Sequence, residues 1–180
     1  MWGMMAGTFS GFSTIMTLRI IATGGTFDKH YDEIAGQLVF AGSHLPEVIA
    51  RARLTVPATL EELPLLDSLD MQDIDRRRVL ASCDRAEENA IVVIHGTDTM
   101  QDTARVLGAA QLARTIVLTG AMIPYAIRGS DAQFNFGFAC GVAQLLPHGV
   151  YVAMNGRVFP WDRVIKNRGA GVFEEIETED

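Results

Sequence analysis

Cysteine is scarce. The 180 residues hold two, Cys83 and Cys140, too few for a disulfide framework and without CxxC spacing. Both fall in apolar stretches of helical character, where a free thiol acts as a small buried hydrophobe, and a reduced, cytoplasmic setting is expected. Long apolar runs are also missing. Nothing approaches the ~18 residues that span a bilayer, so no membrane partner is expected. Positive charge is short: 15 Lys and Arg face 22 Asp and Glu, for a net charge of −7. That balance argues against binding nucleic acid, which needs a basic surface. The histidines at 30, 44, 95 and 148 lack metal-ligand spacing. There is no GxGxxG, no GxxxxGK[ST], and no GxSxG elbow around Ser68, Ser82 or Ser130. Neither a metal nor a cofactor is therefore expected. The first 16 residues are mildly apolar, but no Lys or Arg precedes Arg19 and there is no A-x-A site. They read as an irregular N-terminal extension, or as an upstream start with Met16 the true one, rather than as a secretory signal.

Apolar runs of four to six residues alternate with helical stretches, the pattern of a parallel sheet covered on both faces. Leu18–Ala22, Ile91–Ile94, Thr115–Leu118 and Val150–Met154 read as strands. Helices are expected over Leu45–Arg53 with Ser43 as N-cap, from an Asp70 cap to about Asn89, over Asp102–Leu112, and over Asp131–Leu146. In the last, Phe134, Phe138, Val142 and Leu145 recur at helical spacing and read as a core stripe. No repeat or linker divides the chain. The expectation is one Rossmann-like, three-layer α/β domain over 17–173, followed by a solvated acidic tail at 174–180.

Three strands run into small, hydroxyl-rich loops: Thr23-Gly24-Gly25-Thr26-Phe27, His95-Gly96-Thr97-Asp98-Thr99-Met100, and Thr119-Gly120-Ala121-Met122. In a doubly wound sheet such loops lie together at the C-terminal edge of the strands, where ligands bind. Glycines allow close backbone approach, threonines supply hydroxyls, and Asp98 supplies charge. The expected ligand is a small polar molecule.

With ATGGTF at Ala22–Phe27, DSLDM at Asp67–Met71, HGTDTM at His95–Met100, TGAMIP at Thr119–Pro124, SDAQFN at Ser130–Asn135 and VIK at Val164–Lys166, the sequence resembles the bacterial-type L-asparaginases. These are threonine amidohydrolases, and the resemblance covers most of the chain. It implies Thr26 as the nucleophile that forms an acyl-enzyme. Thr97, Asp98 and Lys166 correspond to a second triad, with the protonation state of Lys166 left open, because a neighbouring aspartate favours its charged form. Ser68 matches the serine that holds a substrate α-carboxylate, and Asp98 would also hold the α-amino group. Gly25, Gly96 and Ala121 fall among the substrate-binding loops. Tyr31 falls in the flap that closes over substrate in the family, although taken alone it is an ordinary loop aromatic. For Asp67, Ala121 and Asn135, turn and cap bonding explains the residues equally well.

The sequence departs from the family in two places. Leu69 replaces a glutamine and cannot hydrogen-bond a substrate ammonium. The chain also resembles the catalytic domain alone, whereas family members continue into a smaller domain that helps build a dimer and lends an acidic residue to the neighbour's site. A homo-oligomer is expected, with Glu174 or Glu175 as a stand-in for that residue. The implied reaction is hydrolysis of L-asparagine to L-aspartate and ammonia. The alternatives are a glutaminase-like or other small-amide hydrolase, and a non-catalytic aspartate- or asparagine-binding module.

Overall fold

The structure, a computed structural model, describes residues 16–176. In chain order the elements are β1 (Leu18–Gly24), a one-turn 3-10 helix (Thr26–Asp28), β2 (Lys29–Asp32), β3 (Gln37–Phe40), α1 (Leu45–Ala52) and β4 (Ala58–Leu66). Then come α2 (Asp73–Arg85), β5 (Ala90–Ile94), α3 (Met100–Ala109), β6 (Thr115–Thr119) and α4 (Ala132–Leu145). The described chain closes with β7 (Gly149–Met154), β8 (Arg157–Pro160), β9 (Val164–Asn167) and β10 (Val172–Glu175). Six strands form one sheet in the order β4-β1-β5-β6-β7-β8. All its pairs are parallel except β7 with β8 at the edge. Two antiparallel ribbons, β2–β3 and β9–β10, stand apart from it.

Alternation along the strands sends side chains to both faces of the sheet. Ile20, Val92, Ile94 and Val117 pack with Leu45 and Val48 of α1 and with Phe136 of α4. Ile21, Ile91, Val93, Ile116 and Leu118 pack with Val79 of α2 and Leu107 of α3. Helices thus cover both faces, giving the three-layer α/β architecture expected from the sequence. Val164 and Phe173 dock the β9–β10 ribbon on the α2/α3 side. Cys83 and Cys140 are buried and unpaired, and burial pushes both thiols up to about 12.

Several local expectations need correction. The buried face of α4 is Ala132, Asn135, Phe136, Ala139, Cys140, Val142 and Ala143. Phe134 and Leu145 of the expected stripe are exposed, at 60% and 84%, and Phe138 is only half-buried. This helix is apolar on most of its circumference, so periodicity alone does not choose a face. The face lined with Ala and Cys lets the helix lie close on the sheet, and that face packs inward.

The N-cap of α2 is Gln72 rather than Asp70. The Gln72 side chain accepts the Asp75 amide and the Asp75 carboxylate accepts the Gln72 amide. Strand β4 went unrecognised because it is a half-exposed edge strand interrupted by Pro64, a residue tolerated only where the ladder is open. Helix α1 starts one residue after His44, and Ser43 still serves its end: its hydroxyl accepts the Leu45 amide at 3.1 Å. Glu174 and Glu175 lie in β10, where Asn167 and Arg163 hold them, rather than in a solvated tail. The expected extension at 1–16 lies outside the described residues apart from Met16, as do the last four residues of the tail.

One buried charge anchors the turn that follows β1. Asp28 is fully buried, and its Oδ1 accepts the Ser43 hydroxyl and the His44 amide, each at 2.9 Å. Its own amide donates to the Gly25 carbonyl at 3.2 Å, closing the one-turn helix that carries Thr26. Burial raises the carboxyl from 3.8 to about 6, more than the His44 and Ser43 hydrogen bonds lower it. Because the folded protein holds this proton more tightly than the unfolded chain, the group's contribution to stability is complete below about pH 4. It is lost as pH rises through 6. Asp28→Asn should therefore raise stability at pH 8 by about 3 kcal/mol, with the gain shrinking toward zero at pH 4. Melting temperatures of both proteins across that range check the sign, and a pH-independent difference would contradict it.

Candidate active site

Sheet order dictates where a site can form. From β1 the chain passes out to β4 on one side, then returns beyond β1 to β5 on the other. The carboxyl ends of β1 and β5 therefore flank a topological switch point. Thr23 closes the seam there, its hydroxyl donating to the Ile94 carbonyl at 2.8 Å.

Backbone contact then draws three loops together. Gly25, at φ 74°, follows β1, and its amide donates to the Leu66 carbonyl at the end of β4 at 2.9 Å. A Cβ on Gly25 would overlap the Gly96 backbone, and one on Gly96 would sit 2.6 Å from Ser68 Oγ. No side chain larger than hydrogen fits at either position. Thr26, half-buried, begins the turn directly after Gly25, and Thr97, buried, directly follows Gly96. Thr99 fastens the third loop, donating from its hydroxyl to the Ser68 carbonyl at 2.7 Å. Ser68 itself is 1% exposed and its hydroxyl has no partner, which is unusual for a buried polar group.

Lys166 reaches this cluster from β9. Its Nζ donates to Thr97 Oγ1 at 2.7 Å and to Asp98 Oδ1 at 2.8 Å. The lysine side chain is 7% exposed and the aspartate 35%, so the pair sits at the boundary between core and solvent. His95 is fully buried, and burial drives it down to about 4, hence neutral. In that state Nδ1 donates to the Gly96 carbonyl and Nε2 accepts the Thr103 hydroxyl, both at 2.8 Å. The histidine pins the loop to α3 and has no free nitrogen for proton transfer.

The structure thus brings Gly25, Gly96, Ser68, Thr97, Asp98 and Lys166 together, with Thr26 beside them. Ala121 is buried in the core just beyond β6. Tyr31 is 64% exposed on the β2–β3 hairpin, paired across from Leu38, and among the described residues no side-chain hydrogen bond ties it to the other site residues. Asn135 is a tether: it donates to the Gly120 carbonyl and its Oδ1 accepts the Asn155 amide, joining the loops after β6 and β7.

Sequence reasoning missed two charged contributors. Lys29 pairs with Asp67 at 2.6 Å, clamping the hairpin to the Ser68 loop. Burial alone would raise Asp67, but the Lys29 hydrogen bond, the Leu69 amide and the charges of Lys29 and Lys166 hold it below its ordinary range. Arg168 lies against Asp98 from the solvent side. Neither had a sequence signal beyond being basic. A concavity of about 640 Å³ lies at the opposite, amino edge of the sheet between Glu88, Thr115 and His148, away from these groups. Among the described residues no group of three or more His, Cys, Asp or Glu could hold a metal, and no helix is long and apolar enough to cross a membrane.

Known proteins resemble this chain in sequence and in fold. Residues 17–176 match the family model described as Asparaginase, N-terminal. The chain is 29% identical over 165 residues to L-asparaginase 1 of Escherichia coli, covering 86% of this chain and 48% of that one. It is 30% identical over 177 residues to the L-asparaginase of Thermococcus kodakarensis, covering 92% and 52%. The solved structure of a thermostable L-asparaginase from Thermococcus kodakarensis has a TM-score of 0.81 at 28% identity, covering 92% of this chain and 52% of that one. A probable cytoplasmic L-asparaginase from Campylobacter jejuni has 0.75 at 25%, covering 89% and 51%. The chain spans about half the length of the relatives it matches. On a match that runs from just before β1 to just after β10, the chain belongs to the asparaginase family, aligning with its N-terminal domain.

Proposed function

We propose that the chain is an asparaginase-type amidohydrolase in which Thr26 is the nucleophile and Thr97, Lys166 and Asp98 handle protons. The observation that carries the reading is the bridge from Lys166 Nζ to Thr97 Oγ1 and Asp98 Oδ1 beside the Thr26 turn. Thr26 Oγ attacks the amide carbon, an ester bond forms, and the carbon–nitrogen bond breaks. The hydroxyl proton leaves with the nitrogen as ammonia. A water held by Thr97 then adds to the ester, one of its protons returns to Thr26 Oγ, and a carboxylate is released. Lys166 steadies the Thr97 hydroxyl, and Asp98 balances the lysine charge.

The family relation points to L-asparagine, giving L-aspartate and ammonia, with a glutaminase-like or other small-amide hydrolase as the second reading. A binding module for aspartate or asparagine would have a use for the unpartnered Ser68 hydroxyl. It would have none for a lysine held on a buried threonine. Thr26→Ala and Thr97→Ala should each lower kcat by about a thousandfold or more while the fold persists. Ammonia release by the purified variants, with circular dichroism as the fold control, checks this. Near-wild-type release from Thr26→Ala would refute the mechanism.

No step above uses a metal. Ammonia release should accordingly survive EDTA, and loss of activity restored by a divalent cation would contradict the proposed chemistry.

Self-association and a cytoplasmic setting belong to the same proposal. Ile165 and Val172 are exposed on the outer face of the β9–β10 ribbon, and Phe134 and Leu145 on the outer side of α4. Apolar surface left in water favours a twofold dimer. Light scattering at assay concentration should give twice the monomer mass or more, and a fully active monomer would remove the argument.

A further inference from the structure

The mouth of the site carries a cation that the amidohydrolase mechanism leaves idle. Arg168 lies two residues beyond Lys166, in the turn between β9 and β10. Asn167 organises that turn: its Oδ1 accepts the Ala170 amide at 3.0 Å, its carbonyl accepts the Gly171 amide at 2.9 Å, and its Nδ2 donates to Glu174 Oε1 at 3.0 Å. From this turn the Arg168 guanidinium approaches Asp98 from outside. Nη2 donates to the Asp98 carbonyl at 3.4 Å, and Nε lies 3.9 Å from Oδ1, the oxygen that Lys166 already holds at 2.8 Å.

Lys29 is engaged with Asp67, whereas the single carboxylate of Asp98 faces both Lys166 and Arg168. A substrate ammonium directed at Asp98 must displace Arg168 or share one carboxylate with two cations, and like charges at such distances repel. The residue after Ser68 offers no help, because Leu69 is apolar and 61% exposed. A carboxylate meets the reverse situation: an unpartnered serine hydroxyl, and a guanidinium held to Asp98 only through contacts of 3.4 and 3.9 Å.

We propose that the preferred substrates are small monoamides of dicarboxylic acids whose free carboxylate is not balanced by an α-ammonium, and that Arg168 sets this preference. N-acylated and des-amino analogues of asparagine are members of the class. The inference rests on the amidohydrolase reading and takes the second of its substrate readings, a small amide other than L-asparagine. The reaction is unchanged: amide and water give a dicarboxylate and ammonia, so succinamate yields succinate.

The test measures kcat/KM for succinamate, N-acetyl-L-asparagine and L-asparagine with the wild type, Arg168→Ala and Arg168→Gln. Because Arg168 is exposed, both variants should fold. The wild type should favour succinamate and N-acetyl-L-asparagine over L-asparagine. Either substitution should shift the ratio toward L-asparagine by about tenfold. A wild-type preference for L-asparagine, or a ratio that neither substitution moves, overturns the proposal. If no amide releases ammonia, the amidohydrolase reading falls, and titration calorimetry with succinate and L-aspartate decides this one separately. Tighter binding of succinate that weakens in Arg168→Ala supports it. Equal or tighter binding of L-aspartate, a preference unaltered by the substitution, or binding of neither at millimolar concentration overturns it.

Discussion

Everything at the carboxyl edge depends on one steric fact: the backbones of the loops after β1 and β5 touch, and the loop after β4 closes on them. Gly25 against Gly96, and Gly96 against Ser68, leave no room for a methyl group. That contact brings together the backbone segments that carry Thr26, Thr97 and Ser68, although they come from three separate parts of the chain. It follows from the sheet order, because β1 lies between β4 and β5 and its loop must meet both neighbours. Segments held by backbone contact have little freedom left to lose, which is the form of preorganisation that the proposed chemistry would need.

Electrostatics refine what packing establishes. A lysine ammonium this far from solvent is tolerable only with a counter-charge and hydrogen bonds, and Asp98 and Thr97 supply both. His95, fully buried, avoids the same difficulty by remaining neutral and spending both ring nitrogens on the loop and on Thr103. Asp28 behaves differently. It keeps a carboxyl in the core against the pull of burial, and in return it ties the Thr26 turn to the start of α1.

Much of this was legible in the sequence, for identifiable reasons. Short β-branched runs such as Ile91–Ile94 are buried on both faces, so they signal a parallel strand without ambiguity. The glycine and hydroxyl loops that follow mark the edge where ligands bind. The inner face of α4 was not legible, because Phe134, Phe136 and Phe138 all lie on an apolar helix and only packing against the sheet selects Phe136. Strand β4 was hidden by Glu61, Glu62 and Pro64, which an edge position tolerates and a central one would not. Arg168 was invisible because its relation to Asp98 exists only once the Asn167 turn has formed.

The β9–β10 ribbon has a further consequence, for the order of folding events. It lies outside the main sheet, and 69 residues separate Lys166 from Thr97. Most of that span is closed as soon as β8 joins the sheet, so the ribbon is tethered to Pro160 by only three residues and is held by the docking of Val164 and Phe173. The sheet can therefore assemble before the ribbon does. A chain whose ribbon has not docked has its loop threonines in place but no lysine beside Thr97. Completion of the charged cluster is thereby tied to completion of the fold.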